Sequence, residues 1–168
     1  MLDLPALPGS YVLELFLTQD ADLAVGRLGK ARFPTGAVLY LGSARGPGGL
    51  KARLGRHLQN GKVTHPHWHI DTLRGIAQVR AVAYLVQPEV ALVTPLECLW
   101  SQALAQFPGS CVPLPGFGVS DCRSGCPAHL IAFAGEKKDN HPLLERSGWL
   151  QALAHVAGAP LIIVRLPV

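Results

Sequence analysis

Between Tyr40 and Leu58 the chain reads YLGSARGPGGLKARLGRHL, a run that places Lys51, Arg53, Arg56 and His57 just beyond a glycine-rich turn. Glycines after an apolar run, followed by basic residues, first suggest a phosphate loop. A Walker loop needs Gly-Lys followed by Ser or Thr, and none follows Gly42 or the Gly46, Gly48, Gly49 group. A dinucleotide fingerprint, with its spaced glycines and an acidic residue at the end of the next strand, is absent as well. What remains is Arg53 and His57 four residues apart, hence on one helix face, near the strand end that carries Tyr40. Alone, such a pair is most simply the solvated edge of an amphipathic helix. Tyr11 on a neighbouring strand, and Glu97 on a helical segment otherwise without charge, raise it to a candidate active-site constellation.

Two further groups carry metal-ligand types. Cys122, Cys126 and His129 follow a Cys-x3-Cys-x2-His pattern, and Cys98 would complete a tetrahedral Cys3His site for zinc. The plain alternative is a set of buried core cysteines, with Cys98, next to Glu97, packing on a different helix face. His65, His67 and His69 include a His-x-His spacing, but beside Pro66 and Trp68 such residues mostly hydrogen-bond locally or cap a turn.

These residues need a frame. GSYVLELFLT (Gly9 to Thr18), GAVLYLG (Gly36 to Gly42) and AQVRAVAYLVQ (Ala77 to Gln87) read as strands. Short extra strands are expected around Leu23 to Val25 and Ala31 to Phe33. GLKARLGRHL is a helix with Leu50, Leu54 and Leu58 as its buried stripe. A shorter helix spans Ile70 to Arg74, and TPLECLWSQALAQF is a third, with Thr94 as N-cap and Pro95 at the first helical position. A Pro/Gly/Cys-rich loop leads to a strand at His129 to Phe133. The charged stretch GEKKDNHP then precedes a helix (Leu143 to Val156) and a strand (Leu161 to Leu166). Few, mostly adjacent strands argue for an α+β fold, a small and mainly antiparallel sheet flanked by helices, over a doubly wound one.

The 168 residues suffice for one core, and four cysteines in that length are no disulfide scaffold. The net charge of +4 is compatible with a polyanionic partner without requiring one. Five of the fifteen lysines and arginines fall between Arg45 and Lys62, which is where such a partner would sit. No leader pattern opens the sequence, and HVAGAPLIIVRLPV is too short to span a bilayer, so a cytoplasmic protein with no membrane partner is expected.

Gly9-Ser10-Tyr11 and Tyr40-Leu41-Gly42 resemble the paired signatures of GIY-YIG nucleases, and the likeness continues through Ser43, the helix LKARLGRHL and Glu97. RFPTGAVLYLGSA, HWHIDTL and PGFGVSDC, the last followed by HL, are similar to the small stand-alone branch known as DUF123. The resemblance covers about residues 9 to 134. It implies a nuclease domain over 1–135, with a C-terminal extension over 136–168 packed on it. It implies that Tyr40 activates or positions the attacking water, supported by Tyr11, and that Arg53 stabilises charge on the scissile phosphate. His57 would bind phosphate or assist proton transfer, and Glu97 would hold one Mg2+ or Mn2+. Ser43, Arg45, Lys51, Arg56 and His69 would contact the substrate. Three departures stand out: tyrosines 29 residues apart, a long loop from Gly42 to Arg53, and Ser120 or Asp121 where an asparagine is usual.

The leading expectation is therefore a divalent-metal-dependent DNA endonuclease acting in repair or processing. The alternative is a nucleic-acid-binding module that keeps the fold without efficient cleavage. A blander third is a zinc-stabilised interaction domain. With no separate DNA-binding domain evident, targeting would come from a protein partner or a homodimer.

Overall fold

The computed structural model describes residues 3–59, 68–87, 93–134 and 148–167. Strand β1 (Gly9–Leu17) lies near the middle of the sheet, and every one of its residues is buried. A strand hidden on both faces needs cover on both. Tyr11, Leu13, Leu15 and Leu17 enter one core and Val12 and Phe16 the other, following the period-two alternation of a strand. A hairpin of β2 (Ala21–Ala24) and β3 (Lys30–Phe33) follows as a separate two-stranded sheet. It accounts for the long interval between the two tyrosines. Next come β4 (Gly36–Ala44), α1 (Gly49–Leu58), α2 (His69–Arg74) and β5 (Gln78–Val86). Helix α3 (Leu96–Ala105), β6 (Ser110–Cys111), β7 (Leu130–Ala134), α4 (Trp149–Ala157) and β8 (Ile162–Arg165) complete the order.

The main sheet runs β6-β7-β4-β1-β5-β8 and every pairing in it is antiparallel. The fold is thus α+β, with α1 and α2 against one face and α3 and α4 against the other.

Three details depart from the sequence reading. In α1 the buried stripe is Leu50, Leu54 and His57, while Leu58 is only partly buried. At about 100° per residue, position 57 returns to within roughly 20° of position 50, whereas position 58 has drifted by about 80°. Helix α3 begins one residue later than expected: Pro95 flanks it in an extended conformation and no side chain caps it. The stretch read wholly as loop before the last core strand contains β6, which pairs with β7. The charged stretch 135–142 and the start of the tail helix, 143–147, lie outside the described residues.

The tail is more than an appendage. Its strand β8 pairs with β5, and its helix α4 closes the second core. Trp149 stacks on Phe133 with ring centroids 3.9 Å apart, and the Trp100 indole N–H donates to the Leu153 carbonyl at 2.9 Å. Because Trp149 is fully buried, Trp149→Ala should lower the unfolding free energy in a urea titration by about 3–5 kcal/mol. A loss under about 1 kcal/mol would place α4 outside the cooperative unit.

Candidate active site

The site originates in a mismatch of strand lengths. Strand β7 pairs with β4 only over Gly36 to Tyr40, while β4 continues to Ala44 alongside β1. Past Tyr40, one edge of β4 borders a cavity of about 810 Å3, and both faces of the sheet contribute to its walls.

On the first face the β1–β4 register sets Leu13 opposite Tyr40 and Tyr11 opposite Gly42, so the two tyrosines project to the same side. Their ring centroids are 6.4 Å apart. Gly42 is required there, since a Cβ at that position would collide with the Tyr11 ring carbon and hydroxyl. The Tyr11 hydroxyl in turn shares a 2.8 Å hydrogen bond with His57 Nε2. Arg53 spreads its guanidinium over the Trp68 ring, 4.3 Å from the centroid. The geometry of Trp68 comes from Asp71, whose Oδ2 accepts the Trp68 backbone N–H at 3.1 Å and pairs with Arg56 at 2.9 Å. Arg56 stacks on the same indole at 3.6 Å. No carboxylate among the described residues lies within ion-pair distance of Arg53.

On the second face, Glu97 projects from the first turn of α3 and is only 7% exposed. Its Oε2 accepts the Ser10 hydroxyl at 3.3 Å and lies 3.6 Å from the exposed Arg45 guanidinium. Among the described residues it is the one buried acid on the cavity; Asp121, also on the wall, is exposed.

Gly118 joins the two halves. Its N–H donates to His69 Nδ1 at 3.0 Å, and it packs closely against the His129 side chain. At φ +76°, with Tyr40 and His129 atoms 3.1 and 3.2 Å from where a Cβ would stand, the position suits glycine alone. Because His69 Nδ1 accepts this bond, the neutral ring carries its proton on Nε2.

Burial sets the protonation states. It pushes Tyr40 up to about 12 and Tyr11 well above its usual value, so both phenols keep their protons at neutral pH. His57 is driven down to about 3, first by burial and then by the positive charges of Arg74 and Arg53. Its Nδ1 finds no hydrogen-bond partner among the described residues, and the opposing pull of the Asp71 carboxylate does not offset burial and the arginines.

The sequence-derived candidates therefore separate. Tyr11, Tyr40, Ser43, Arg45, Arg53, His69 and Glu97 share the cavity wall. His57 does not: it sits 1% exposed and neutral behind Tyr11, away from direct phosphate contact. Arg56 is engaged with Asp71 and Trp68, and exposed Lys51 points elsewhere, so neither joins the wall. His65, His67 and Lys62 lie outside the described residues. Sequence reasoning assigned no role to Ser10, Trp68, Gly118 or Arg123, all of which line the cavity or hold residues that do. The PGFG turn was the available signal for Gly118.

Cys98, Cys122, Cys126 and His129 converge, with their ligand atoms all within 4.8 Å of one another, and could hold a metal ion. Cys98 does not pack on an unrelated face, as its place after Glu97 suggested. The loop carrying Cys122 and Cys126 wraps around that turn of α3, so the two neighbours face different parts of one cavity. Burial raises the Cys98 thiol and, with its sulfur neighbours, pushes Cys126 up to about 12. Burial also acts on Cys122, but hydrogen bonds from the Cys126 and Ser124 backbone outweigh it and lower that thiol.

This architecture belongs to a family: residues 10–147 match the domain of unknown function DUF123, and the chain is a member of it. No curated protein and no solved structure matches the chain. No helix among the described residues is long and apolar enough to cross a membrane.

The depressed His57 value makes a prediction about acid stability. Since the folded state resists protonating this ring, stability is complete above the ordinary histidine value of about 6.5 and declines as pH falls from there toward 3. Urea midpoints measured across that window should fall, and the fall should be shallower in His57→Gln. Parallel curves for the two proteins would overturn the assignment.

Proposed function

We propose that this chain is a DNA endonuclease of the GIY-YIG type, hydrolysing phosphodiester bonds with a divalent cation in DNA repair or processing. The observation that carries the reading is Arg53, an oriented guanidinium at a cavity with no carboxylate to neutralise it among the described residues. A permanently charged planar fork in such a place suits a phosphate. Across the cavity stands a single buried carboxylate, and between them a protonated phenol.

In the hydrolysis a water oxygen bonds to phosphorus while a phosphorus–oxygen ester bond breaks and the departing oxygen gains a proton. Arg53 stabilises charge that builds on the phosphate oxygens. Tyr40, kept protonated, donates a hydrogen bond that orients water or phosphate; it is not a standing base at neutral pH. Tyr11 and His57 fix Tyr40's neighbourhood from behind. His69, with its proton held on Nε2, is a donor on the same wall. Glu97 fits a Mg2+ or Mn2+ ion, as a hard oxygen donor on a cavity roomy enough for the waters such ions retain. When bound, the ion supplies charge stabilisation for the leaving oxygen. The Cys3His group is read as a separate zinc site, because three thiolates select a softer metal than a lone carboxylate does.

Nicking assays on single-stranded, nicked, branched and duplex DNA in magnesium or manganese test this. Arg53→Ala and Glu97→Gln should each lower cleavage by at least about 100-fold with the fold intact, and Lys51→Ala by less than about 3-fold. Cleavage by Glu97→Gln at the wild-type rate would defeat the reading. DNA binding by the wild type without any cleavage would favour the binding-module alternative.

A further inference from the structure

We propose that zinc held by Cys98, Cys122, Cys126 and His129 assembles one wall of the cavity, so that the position of His69 and the Tyr40 end of β4 depend on that metal. This rests on the zinc reading of the Cys3His group and not on the nuclease reading.

The donor spacing suits zinc. Tetrahedral coordination with Zn–S near 2.3 Å and Zn–N near 2.0–2.1 Å needs S···S of about 3.8 Å and S···N of about 3.6 Å. Cys98 Sγ lies 3.6 Å from Cys122 Sγ and 3.5 Å from His129 Nε2. Four protein ligands leave no open coordination position, which marks a structural site.

The ligands also sit where a staple is needed. Between β6 and β7, residues 112–129 form turns with no helix or strand of their own. That segment is tied to α3 by the Ser101 hydroxyl donating to the Ala128 carbonyl and by Gln102 Nε2 donating to the Ser124 carbonyl at 3.3 Å. The metal group adds Cys98 on α3 to Cys122, Cys126 and His129 on the segment.

From His129 the coupling is short. Its carbonyl accepts the Leu41 N–H at 2.9 Å, on β4 just past Tyr40, and its own N–H donates to the Phe117 carbonyl at 2.7 Å. Its side chain packs against Gly118, whose N–H holds His69 Nδ1. Phe117 lies edge-on to Tyr40 at 6.2 Å. Strands β1 and β5 have no part in this chain of contacts and carry their own pairing.

The experiment uses the full chain. Zinc is quantified in the purified protein, stripped with 1,10-phenanthroline and then restored, while amide hydrogen exchange is followed residue by residue. The expected result is stoichiometric zinc, with the Leu41, Gly118 and His129 amides exchanging at least about tenfold faster after stripping and recovering on zinc addition. The β1 and β5 amides should not change, and the His69 Nδ1 nitrogen shift should move away from that of an acceptor. Cys122→Ser should reproduce the stripped pattern, and Cys111→Ser should bind zinc like the wild type. Absence of stoichiometric zinc would remove the zinc reading and this proposal together. Bound zinc with unchanged exchange at those three amides would leave the zinc reading standing and overturn the wall. Faster exchange throughout β1 and β5 would also overturn it, by making the metal a determinant of the whole sheet.

Discussion

Everything at the candidate site depends on β7 ending opposite Tyr40 while β4 continues for four more residues. Had the two strands been equally long, backbone pairing would occupy the edge that now borders the cavity. Because the pairing stops, side chains from opposite faces of one sheet meet around a strand end. Tyr11, Tyr40 and Arg53 reach it from the α1 side, Ser10 and Glu97 from the α3 side. A sheet normally keeps its two faces apart by the thickness of a backbone layer, and the overhang removes that separation locally.

The charges are arranged to survive burial. Ionising either phenol or protonating His57 would leave a charge in a poorly solvated place, and all three are held neutral. The permanent charge that remains is guanidinium, and the indole holds Arg53 over its ring without neutralising it. Asp71 governs this indirectly, since one oxygen fixes both the start of α2 and Arg56 beneath the same indole.

Much of the frame was legible in the sequence because it rests on local pattern. The span of α1 follows from its leucine spacing and the glycines before it, and β1, β4 and β5 from continuous strand-forming runs. The tyrosine pair was legible for the same reason, each ending or opening such a run. What escaped depends on contacts distant in sequence. That His57 rather than Leu58 enters the core follows from helix phase, but its neutral state follows from burial and from the charges of Arg74 and Arg53, and its hydrogen-bond partner is Tyr11, 46 residues away. Trp68 matters only because α2 is laid across α1, and Gly118 only because a loop passes between two histidines 60 residues apart in the chain. Cys98 was misjudged by treating helix faces as if each met a different neighbour, when one loop curls around the turn to meet it.

The C-terminal elements α4 and β8 lie beyond the residues that match the family, yet they cover one sheet face and one sheet edge. During synthesis, β1, β4 and β5 can pair as soon as Val86 has emerged. The β5 edge and the apolar surface of Trp100 and Phe133 stay bare until residues 149–165 follow. An unpaired edge beside exposed aromatic surface is the usual template for joining another chain. The nascent protein therefore passes through a stage in which its own residues 149–165 must reach that edge before a neighbouring molecule does.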